Sequence, residues 1–521
     1  MEQLSGLDGW FLAMETRSVF GHVGSVCIVD VRGSGGTESR LTLEHLIGVI
    51  ESRLPLVPLF RRRLVTVPLG LDHPYWIEDP DFDIEFHVRA LALPAPGNDR
   101  QLSEQVARLH ARPLDRSRPL WELYLITGLR GGRAAIYSKI HHAAIDGVSG
   151  GDILTAVLDV SPQGRELPDV EVFEGEQPPD PVWLLARSAV ALARQPLNAA
   201  RVAVDLARSI PVLANAIGSP IAHRLAANDD GELLSQTGLR APSTPFNAPL
   251  SPHRRWAFTD LPLAEVKKLR VGSELTVNDV VMALCAGALR RWLLLHEALP
   301  AAPLVAAVPV SVRTADQKGE FGNRVSMMLA ALPTNLSDPG ERLGAMHEAM
   351  RAAKHQHGAI PASLLGDVTQ FAMPALANQA WRLSARLRLF ERVNPFNLFV
   401  SNVPGPKVPL YFAGAELLAY YPVSALIDGQ GLNITVMSYR DNLYFGLVAC
   451  RALVPDLDVM AGYLRDELDA LTSAAEISAK ATAPAASTKN SNVASTRSSN
   501  VASIKAPKAA STKASTKASH A

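Results

Sequence analysis

The sequence predicts an α/β protein with two mixed-sheet domains of similar size and a functional site in the cleft between them. Three observations support this prediction. Apolar segments typical of strands alternate with amphipathic helical segments in residues 1–160, and the alternation resumes in residues 250–472. A Pro-rich and acidic connector, residues 161–182, lies between these halves. The 521 residues are also enough for two or three domains.

In the first half, the local pattern of apolar and polar residues predicts each element. Runs rich in Val, Ile and Tyr predict strands, and apolar residues three or four positions apart predict helices. Gly131 and Gly132 predict the turn that joins a pair of strands. The predicted strands are 23–31, 121–128 and 133–140, the predicted helices are 42–54 and 99–112, and extended chain is predicted for 75–88.

In the second half, the same patterns predict six further strands and three helices before the chain changes composition. The predicted strands are 254–260, 304–312, 325–332, 397–403, 432–439 and 443–450, and the predicted helices are 276–297, 338–355 and 456–471. The helix 276–297 contains the apolar run around Met282–Leu289, for which core packing is favoured over lining a substrate tunnel.

The connector region, residues 161–249, is predicted to continue into amphipathic helices from Trp183 to about residue 214. Four arginines recur there at seven-residue spacing, at positions 187, 194, 201 and 208. Such a stripe is typical either of a solvated helix face or of a helix that rests on anionic lipid. The sequence alone leaves both interpretations open.

The last 49 residues, 473–521, are predicted to be a disordered basic tail, because Ala, Ser, Thr and Lys dominate and aromatic residues are absent. Six Lys, one Arg and one Glu give this tail a net charge of +6, so the neutral chain leaves 1–472 at 0 − 6, or −6. An acidic body argues against a nucleic-acid-binding protein.

Cysteine usage and hydropathy predict a cytoplasmic protein. The three cysteines, Cys27, Cys285 and Cys450, lie far apart in apolar runs, which favours buried free thiols over disulfides or a metal site. Acidic residues precede the first basic one, Arg17, unlike a secretory signal. No apolar run approaches the roughly 18 residues of a membrane-spanning helix, so we expect any contact with a membrane or lipid droplet to be peripheral.

The segment YSKIHHAAIDGVSGG, residues 137–151, supports two incompatible active sites. Gly147–Gly151 matches the G-x-S-x-G nucleophile elbow, with Ser149 as the nucleophile. That elbow requires a strand that runs straight into the nucleophile turn, whereas the predicted strand ends about eight residues earlier, near Ile140. Ser149 is therefore interpreted mainly as a residue near a helix start, where its hydroxyl accepts from a free backbone N–H.

The alternative site uses the histidines of the same segment, His141 and His142, with Asp146 and Gly147. Because neighbouring side chains of a strand point to opposite faces, the two histidines are expected to have different roles. Asp146 is close enough in sequence to fix the loop or an imidazole, and Gly147 permits a sharp turn. Adjacent histidines without a third ligand are a poor metal site. A buried histidine pair with a purely structural role remains the alternative.

The pattern HHxxxDG resembles the CoA-dependent acyltransferase superfamily, and further segments resemble its bacterial wax ester synthase/diacylglycerol acyltransferase family. The likeness spans nearly all of 1–472 in order, and the DFGWG signature of the plant-type branch is absent. The segments are LSGLDGWFLAMET at 4–16, HVG at 22–24, RPLDRSRPLWELYLI at 112–126, TVNDVVMALCAGALRRWL at 276–293, VPVSVR at 308–313, GNRVS at 322–326, NLFVSNVPGP at 397–406 and GLNITVMSYRDNLYFG at 431–446.

This resemblance implies two domains of the CoA-dependent acyltransferase type with the active site in a tunnel between them. It implies esterification of diacylglycerol, or of a long-chain alcohol, by fatty acyl-CoA, which is a co-substrate, so no cofactor is expected. His142 would be the general base, Asp146 a structural residue and His141 a neighbour that supports the loop. Pro119, Leu120, Trp121 and the pair Asn278 and Asp279 would be structural or acyl-pocket residues.

Chemistry is consistent with this implication, because an unprotonated imidazole can accept the proton of an attacking hydroxyl. Asn278 or backbone N–H groups near Gly147 are candidate oxyanion donors, although Asn278 could equally be a helix N-cap. Arg313 is a candidate partner of Asp146. The Arg-bearing segments 183–214 and 382–393 are candidates for contact with lipid. A lipid hydrolase that uses Ser149, or an inactive protein that binds lipid surfaces, would be the competing functions.

Overall fold

Three β-sheets organise the part of the chain that the computed structural model describes, which comprises residues 1–31, 41–145, 157–167, 175–190, 241–271, 273–311, 325–357 and 394–482. Two of the sheets have six strands, and the third has three. Residues 1–477 form one compact unit, and residues 478–521 are assigned to a second. The predicted class, two mixed-sheet α/β domains, is confirmed.

The first six-stranded sheet contains, as an inner strand, the strand that ends at His141. Its strands have the order β12-β13-β2-β7-β6-β5, antiparallel except for the β5–β6 pair. They are β2 (His22–Asp30), β5 (Val88–Ala92), β6 (Trp121–Leu129), β7 (Arg133–His141), β12 (Tyr411–Phe412) and β13 (Ala415–Val423). In β7, apolar residues face both sides, because side chains pack against each face of the sheet.

Helices and a small sheet complete the first half. The helices are α1 (Gly6–Met14), α2 (Leu43–Arg53), α3 (Ile84–His87), α4 (Asp99–His110) and α5 (181–190). The small sheet has the order β1-β4-β3 and comprises β1 (Glu2–Gln3), β3 (Arg62–Val65) and β4 (Tyr75–Glu78). Leu184 of α5 packs against Val67 and Tyr75 beside this sheet. Arg187, one of the four arginines of the predicted stripe, donates from Nε to the Tyr75 hydroxyl at 3.1 Å and so contacts another part of the same chain.

The second six-stranded sheet mixes parallel and antiparallel pairs. Its order is β10-β9-β11-β14-β15-β8, and β11 is parallel to both of its neighbours. The strands are β8 (Arg254–Pro262), β9 (Leu304–Ser311), β10 (Val325–Leu332), β11 (Leu398–Val403), β14 (Leu432–Tyr439) and β15 (Asn442–Cys450). The helices of this half are α6 (Leu263–Lys268), α7 (Val277–Leu295), α8 (Pro339–His357) and α9 (Leu457–Thr482).

Helix α7 forms the centre of the second hydrophobic core. Its residues from Val280 to Leu289 are fully buried, and they pack with β-strand residues and with α8 and α9. Gly287 allows Glu467 of α9 to approach, since an added Cβ would lie 2.0 Å from the Glu467 Cδ. Core packing, the favoured interpretation of Met282–Leu289, is therefore confirmed.

The two large sheets contact each other through β13 and the β8–β15 pair. The Trp256 indole donates from Nε1 to the carbonyl oxygen of Pro422 at 3.2 Å, and the Tyr421 hydroxyl donates to Asp260 at 3.1 Å. Gly446 permits this approach, because a Cβ there would lie 1.8 Å from the Pro422 oxygen. A strand from the second half of the sequence thus completes the first sheet and joins the halves.

Several elements differ from the prediction. The segment predicted as extended, 75–88, contains the short helix α3, which Asp83 caps by accepting from the Glu85 N–H at 3.0 Å. The closing helix, predicted to end at residue 471, continues to Thr482, so the first ten residues of the predicted tail, 473–482, are helical, and the rest of the predicted tail lies outside the described residues. Its Ala-rich composition favours this extension. Strands β1, β3, β5, β12 and β13 were not predicted, whereas the three cysteines are buried and free, as predicted.

Candidate active site

The HH pair lies where β7 ends and a 3₁₀ turn, His142–Ala144, begins. The backbone N–H of His141 donates to the carbonyl oxygen of Leu120 at 2.9 Å, which extends the ladder between β7 and β6. The N–H of His142 donates to the carbonyl oxygen of Gly21 at 2.8 Å. Two neighbouring segments therefore fix the backbone at this pair.

The imidazole of His141 is buried against the end of α1. Its Nδ1 accepts from the backbone N–H of Ala143 at 3.1 Å. Its Nε2 lies 3.3 Å from Oε1 of Glu15, the residue that ends α1. Because Nδ1 accepts a hydrogen bond, the ring proton belongs on Nε2, facing the carboxylate. His141 therefore has structural contacts on both ring nitrogens.

The imidazole of His142 points elsewhere and is only half-buried. It stacks on the ring of Phe11 in α1, with centroids 4.2 Å apart and planes 9° from parallel. Its Nδ1 is buried and has no hydrogen-bond partner among the described residues. Burial, and secondly the neighbouring imidazole of His141, lower the pKa of His142 to about 4. At neutral pH this imidazole is therefore uncharged and able to accept a proton.

The other residues of the motif, Asp146, Gly147 and Ser149, lie outside the described residues, as does Arg313. The described residues nevertheless include the end of strand β7, which bears on the nucleophile-elbow interpretation. Strand β7 ends at His141 and the 3₁₀ turn His142–Ala144 follows directly, whereas a nucleophile elbow requires the strand to run straight into the nucleophile turn, and Ser149 comes eight positions after His141 in the sequence.

The Pro119-Leu120-Trp121 segment enters β6 beside the histidines, and all three residues are buried. The Trp121 ring stacks between Phe60 and His87, with centroid distances of 4.7 and 4.5 Å. Its Nε1 donates to the carbonyl oxygen of Phe60 at 2.8 Å. Trp121 also borders an apolar cavity of about 50 Å³ that Ile140, next to the HH pair, lines as well.

The segment with Asn278 and Asp279 begins helix α7. The N-cap is Thr276, whose side chain accepts from the Asp279 N–H at 3.2 Å, while the Asp279 carboxylate accepts from the Thr276 N–H at 2.8 Å. The N-cap alternative for Asn278 is therefore wrong. Instead, Oδ1 of Asn278 accepts from Nδ2 of Asn402 in β11 at 3.1 Å. Asp279 also lies 2.9 Å from Nδ1 of His347.

Sequence reasoning missed four residues that surround the HH pair: Phe11, Glu15, Gly21 and Arg116. Phe11 and Glu15 lie in the LSGLDGWFLAMET segment, which carries the family resemblance but no motif of known catalytic residues. Arg116 donates from Nη2 to Oε2 of Glu15 at 2.6 Å and to the carbonyl oxygen of Leu12 at 2.7 Å. The available signal was the carboxylate of Glu15, which directly follows the apolar run Trp10–Met14 at the end of α1.

Two further properties concern ligands and membranes. Within the described ranges, no group of three or more His, Cys, Asp or Glu side chains is placed to hold a metal ion. Among the helices that the structure describes, none combines the length and the apolar character needed to cross a bilayer.

Family models match most of the chain. The wax ester synthase/diacylglycerol acyltransferase catalytic domain matches residues 4–281, and the C-terminal domain of the same family matches residues 321–472. A Mycobacterium tuberculosis chain provisionally named a diacylglycerol O-acyltransferase is 37% identical over 459 residues, which cover 88% of this chain and 87% of that one. A second relative from that organism, named a probable diacylglycerol O-acyltransferase, is 35% identical over 489 residues, covering 92% and 100%.

Solved structures agree with these matches. The wax ester synthase/diacylglycerol acyltransferase from Marinobacter aquaeolei VT8 superposes with a TM-score of 0.64 at 30% identity, covering 91% of this chain and 100% of that one. A condensation domain of the calcium-dependent antibiotic synthetase has a TM-score of 0.53 at 15% identity, covering 90% and 97%, which concerns the fold alone. The chain therefore belongs to the wax ester synthase/diacylglycerol acyltransferase family and is an acyl-CoA-dependent acyltransferase.

Proposed function

We propose that this protein esterifies diacylglycerol with the acyl group of a fatty acyl-CoA to give triacylglycerol, with His142 as the general base. The observation that carries the proposal is the neutral imidazole of His142, which is presented beyond the end of β7 and stacked on Phe11. The names of the mycobacterial relatives support diacylglycerol as the acceptor.

In the proposed reaction, a ring nitrogen of His142 accepts the proton of the acceptor hydroxyl while the oxygen attacks the thioester carbonyl. A new C–O bond forms, and the carbonyl oxygen becomes an oxyanion. The C–S bond then breaks, and the CoA thiolate receives the proton from His142. Because the thioester is already activated, the reaction needs no covalent acyl-enzyme, and acyl-CoA is a co-substrate rather than a cofactor.

Other residues are assigned to this reaction by the family motif. We assign Asp146 a structural role, with Arg313 as its candidate partner, and the oxyanion donor to Asn278 or to the backbone near Gly147. The close link between Asn278 and Asn402 supports a fixed amide at the start of α7. Trp121, with Pro119 and Leu120, would form the wall of an acyl pocket, which the adjoining apolar cavity supports. We also propose that the catalytic tunnel lies between the two large sheets.

The choice of acceptor is testable by competition. With labelled palmitoyl-CoA and equal amounts of diacylglycerol and hexadecanol in the same dispersion, we expect more triacylglycerol than wax ester at early times. Thin-layer chromatography separates the two products. An excess of hexadecyl ester would instead assign the protein as a wax ester synthase, which is the alternative acceptor class.

Lipid acceptors require a lipid surface, and we place the protein in the cytoplasm with peripheral contact to a membrane or lipid droplet. Exposed apolar side chains cluster around α5 and the turn at Pro68–Gly70. Leu69 is 82% exposed at a positive φ of 60°, and Val182 is 72% exposed. Exposed Trp183 packs under the guanidinium of Arg187. Strain at an exposed leucine is typical of a functional surface.

The double variant Leu69→Ser, Val182→Ser is expected to weaken binding to phosphatidylcholine vesicles containing diacylglycerol about tenfold, since two apolar contacts are lost. Vesicle co-sedimentation measures this affinity. Val271→Ser is the matched control, because Val271 is 83% exposed but lies in the second half. Equal binding by the double variant and the control would contradict this surface.

A further inference from the structure

Glu15 is surrounded by hydrogen-bond donors on both carboxylate oxygens. Oε1 accepts from the backbone N–H of Gly21 at 2.7 Å and faces Nε2 of His141 at 3.3 Å. Oε2 accepts from Nε and Nη2 of Arg116 at 3.1 and 2.6 Å. The side chain of Glu15 is mostly buried. A group that only accepts hydrogen bonds is therefore required at this position.

One path leads from Glu15 through the His141 ring to the turn that carries His142. The carboxylate favours the tautomer with the proton on Nε2, which leaves Nδ1 free to accept from the Ala143 N–H. This bond closes the 3₁₀ turn His142–Ala144, for which His141 is the cap. If His141 adopted the other tautomer, two N–H groups would face each other and the turn would lose its cap.

A second path leads through the backbone. The Gly21 N–H donates to Glu15, and the Gly21 carbonyl oxygen accepts from the N–H of His142. Gly21 also permits the close contact with His141, since a Cβ there would lie 2.5 Å from the His141 Nε2. Each path therefore connects the Glu15 carboxylate to His142 through a single intervening residue, which is His141 in the first path and Gly21 in the second.

We propose that Glu15 is a positioning residue for His142 and that it acts through the tautomer and orientation of His141. This inference rests on the proposed role of His142 as the base. Arg116 holds the carboxylate at the end of α1, and α1 also supplies Phe11, on which His142 stacks. One helix end therefore fixes both the turn and the ring of the proposed base.

The ionisation of Glu15 is consistent with this role. Burial opposes the charged form, but the neighbouring imidazole of His141, the charge of Arg116 and the Gly21 N–H lower the pKa of Glu15 to about 2. Glu15 is therefore a carboxylate at any pH at which the enzyme is assayed. A glutamine cannot replace it, because in either amide orientation the NH₂ group would face an N–H donor.

The test measures acyl transfer from palmitoyl-CoA for Glu15→Gln, His141→Asn, the double variant and His142→Ala. In His141→Asn, the amide oxygen can stand where Nδ1 accepts from Ala143, but nothing reaches Glu15. We expect Glu15→Gln to lower kcat about tenfold to a hundredfold, with the KM for palmitoyl-CoA within about twofold of wild type, because orientation is lost rather than binding. In the His141→Asn background the same substitution should change kcat less than about twofold.

Glu416→Gln is the matched control, because it breaks an exposed Glu–Arg pair with Arg440 at 2.9 Å, away from the histidines, and should leave kcat unchanged. His141→Asn provides a second route to the same answer if Glu15→Gln does not fold, since it alone should lower kcat. If kcat of Glu15→Gln stays at the wild-type value while His142→Ala is inactive, the inference is wrong and the proposed base stands. An active His142→Ala overturns both. Equal losses of kcat from Glu15→Gln in the two backgrounds would exclude action through His141.

Discussion

His142→Ala is expected to lower acyl transfer about a thousandfold, within the range of 10²–10⁴ typical for removal of a general base. An alcohol hydroxyl is almost fully protonated at neutral pH and is a weak nucleophile. Its attack on the thioester therefore depends on a group that accepts the proton. Alanine leaves the turn intact, because the backbone bonds of residue 142 to Gly21 and of Ile145 to residue 142 do not involve the side chain. Labelled palmitoyl-CoA with diacylglycerol measures the loss.

Ser149→Ala is the comparison variant and should retain transfer, because no step of the proposed reaction uses a serine nucleophile. Loss of activity with Ser149→Ala, together with hydrolysis of a simple ester, would instead identify a lipid hydrolase. If neither wild type nor any variant turned over but all bound vesicles tightly, the protein would be an inactive lipid-surface protein.

The pH dependence offers an independent check on His142. Because its pKa is lowered to about 4, the imidazole is unprotonated over the whole neutral range. We expect kcat/KM to stay level from about pH 8 to pH 6 and to fall only as the pH approaches that value, since protonation removes the base. A rate that falls around 6.5, the ordinary pKa of histidine, would show that the surroundings of His142 do not lower its pKa or that His142 is not the base.

The central strands could be predicted from the sequence because buried apolar residues occupy most positions on both faces of β6 and β7. Strand β13 could not. Its pattern, AELLAYYPV, contains a proline, and its partner β2 lies almost 400 residues earlier in the chain. Nothing local encodes such a pairing, which arises only when the two sheets meet.

In the candidate site, too, local sequence predicts some residues and long-range contacts determine others. His142 could be proposed from seven adjacent residues, since two histidines with Asp-Gly form a rare pattern. The contacts of Glu15 and Phe11 depend on α1 folding back onto the turn after β7, more than a hundred residues away. Asn278 was predicted with an open N-cap alternative, because Thr276 and Asn278 are both acceptable cap residues by type.

Glu122→Gln is expected to destabilise the fold by about 3–5 kcal/mol, because it removes one partner of a buried ion pair. Oε2 of Glu122 lies 2.7 Å from Nζ of Lys139 across the β6–β7 ladder, and Lys139 is 1% exposed. The remaining partners of Nζ are the carbonyl oxygens of Arg112 and Leu109, at 3.1 and 3.4 Å. These dipoles cannot replace a carboxylate beside a buried ammonium group.

The loss of stability caused by Glu122→Gln should depend on pH, and its direction follows from the pKa of Lys139. Burial lowers the pKa of Lys139, and the carboxylate of Glu122 opposes that effect. Without the carboxylate the folded-state pKa falls further below the unfolded value of about 10.4, so the unfolded chain binds more protons between the two values. Stability of Glu122→Gln should therefore rise with pH through that window and be lowest below it.

Lys139→Met added to Glu122→Gln should recover most of the lost stability, since no charge is left unpaired. Thermal unfolding of the single and double variants at pH 6 and pH 9 measures both effects, and a double variant less stable than Glu122→Gln would mean that the ion pair is not what holds these strands.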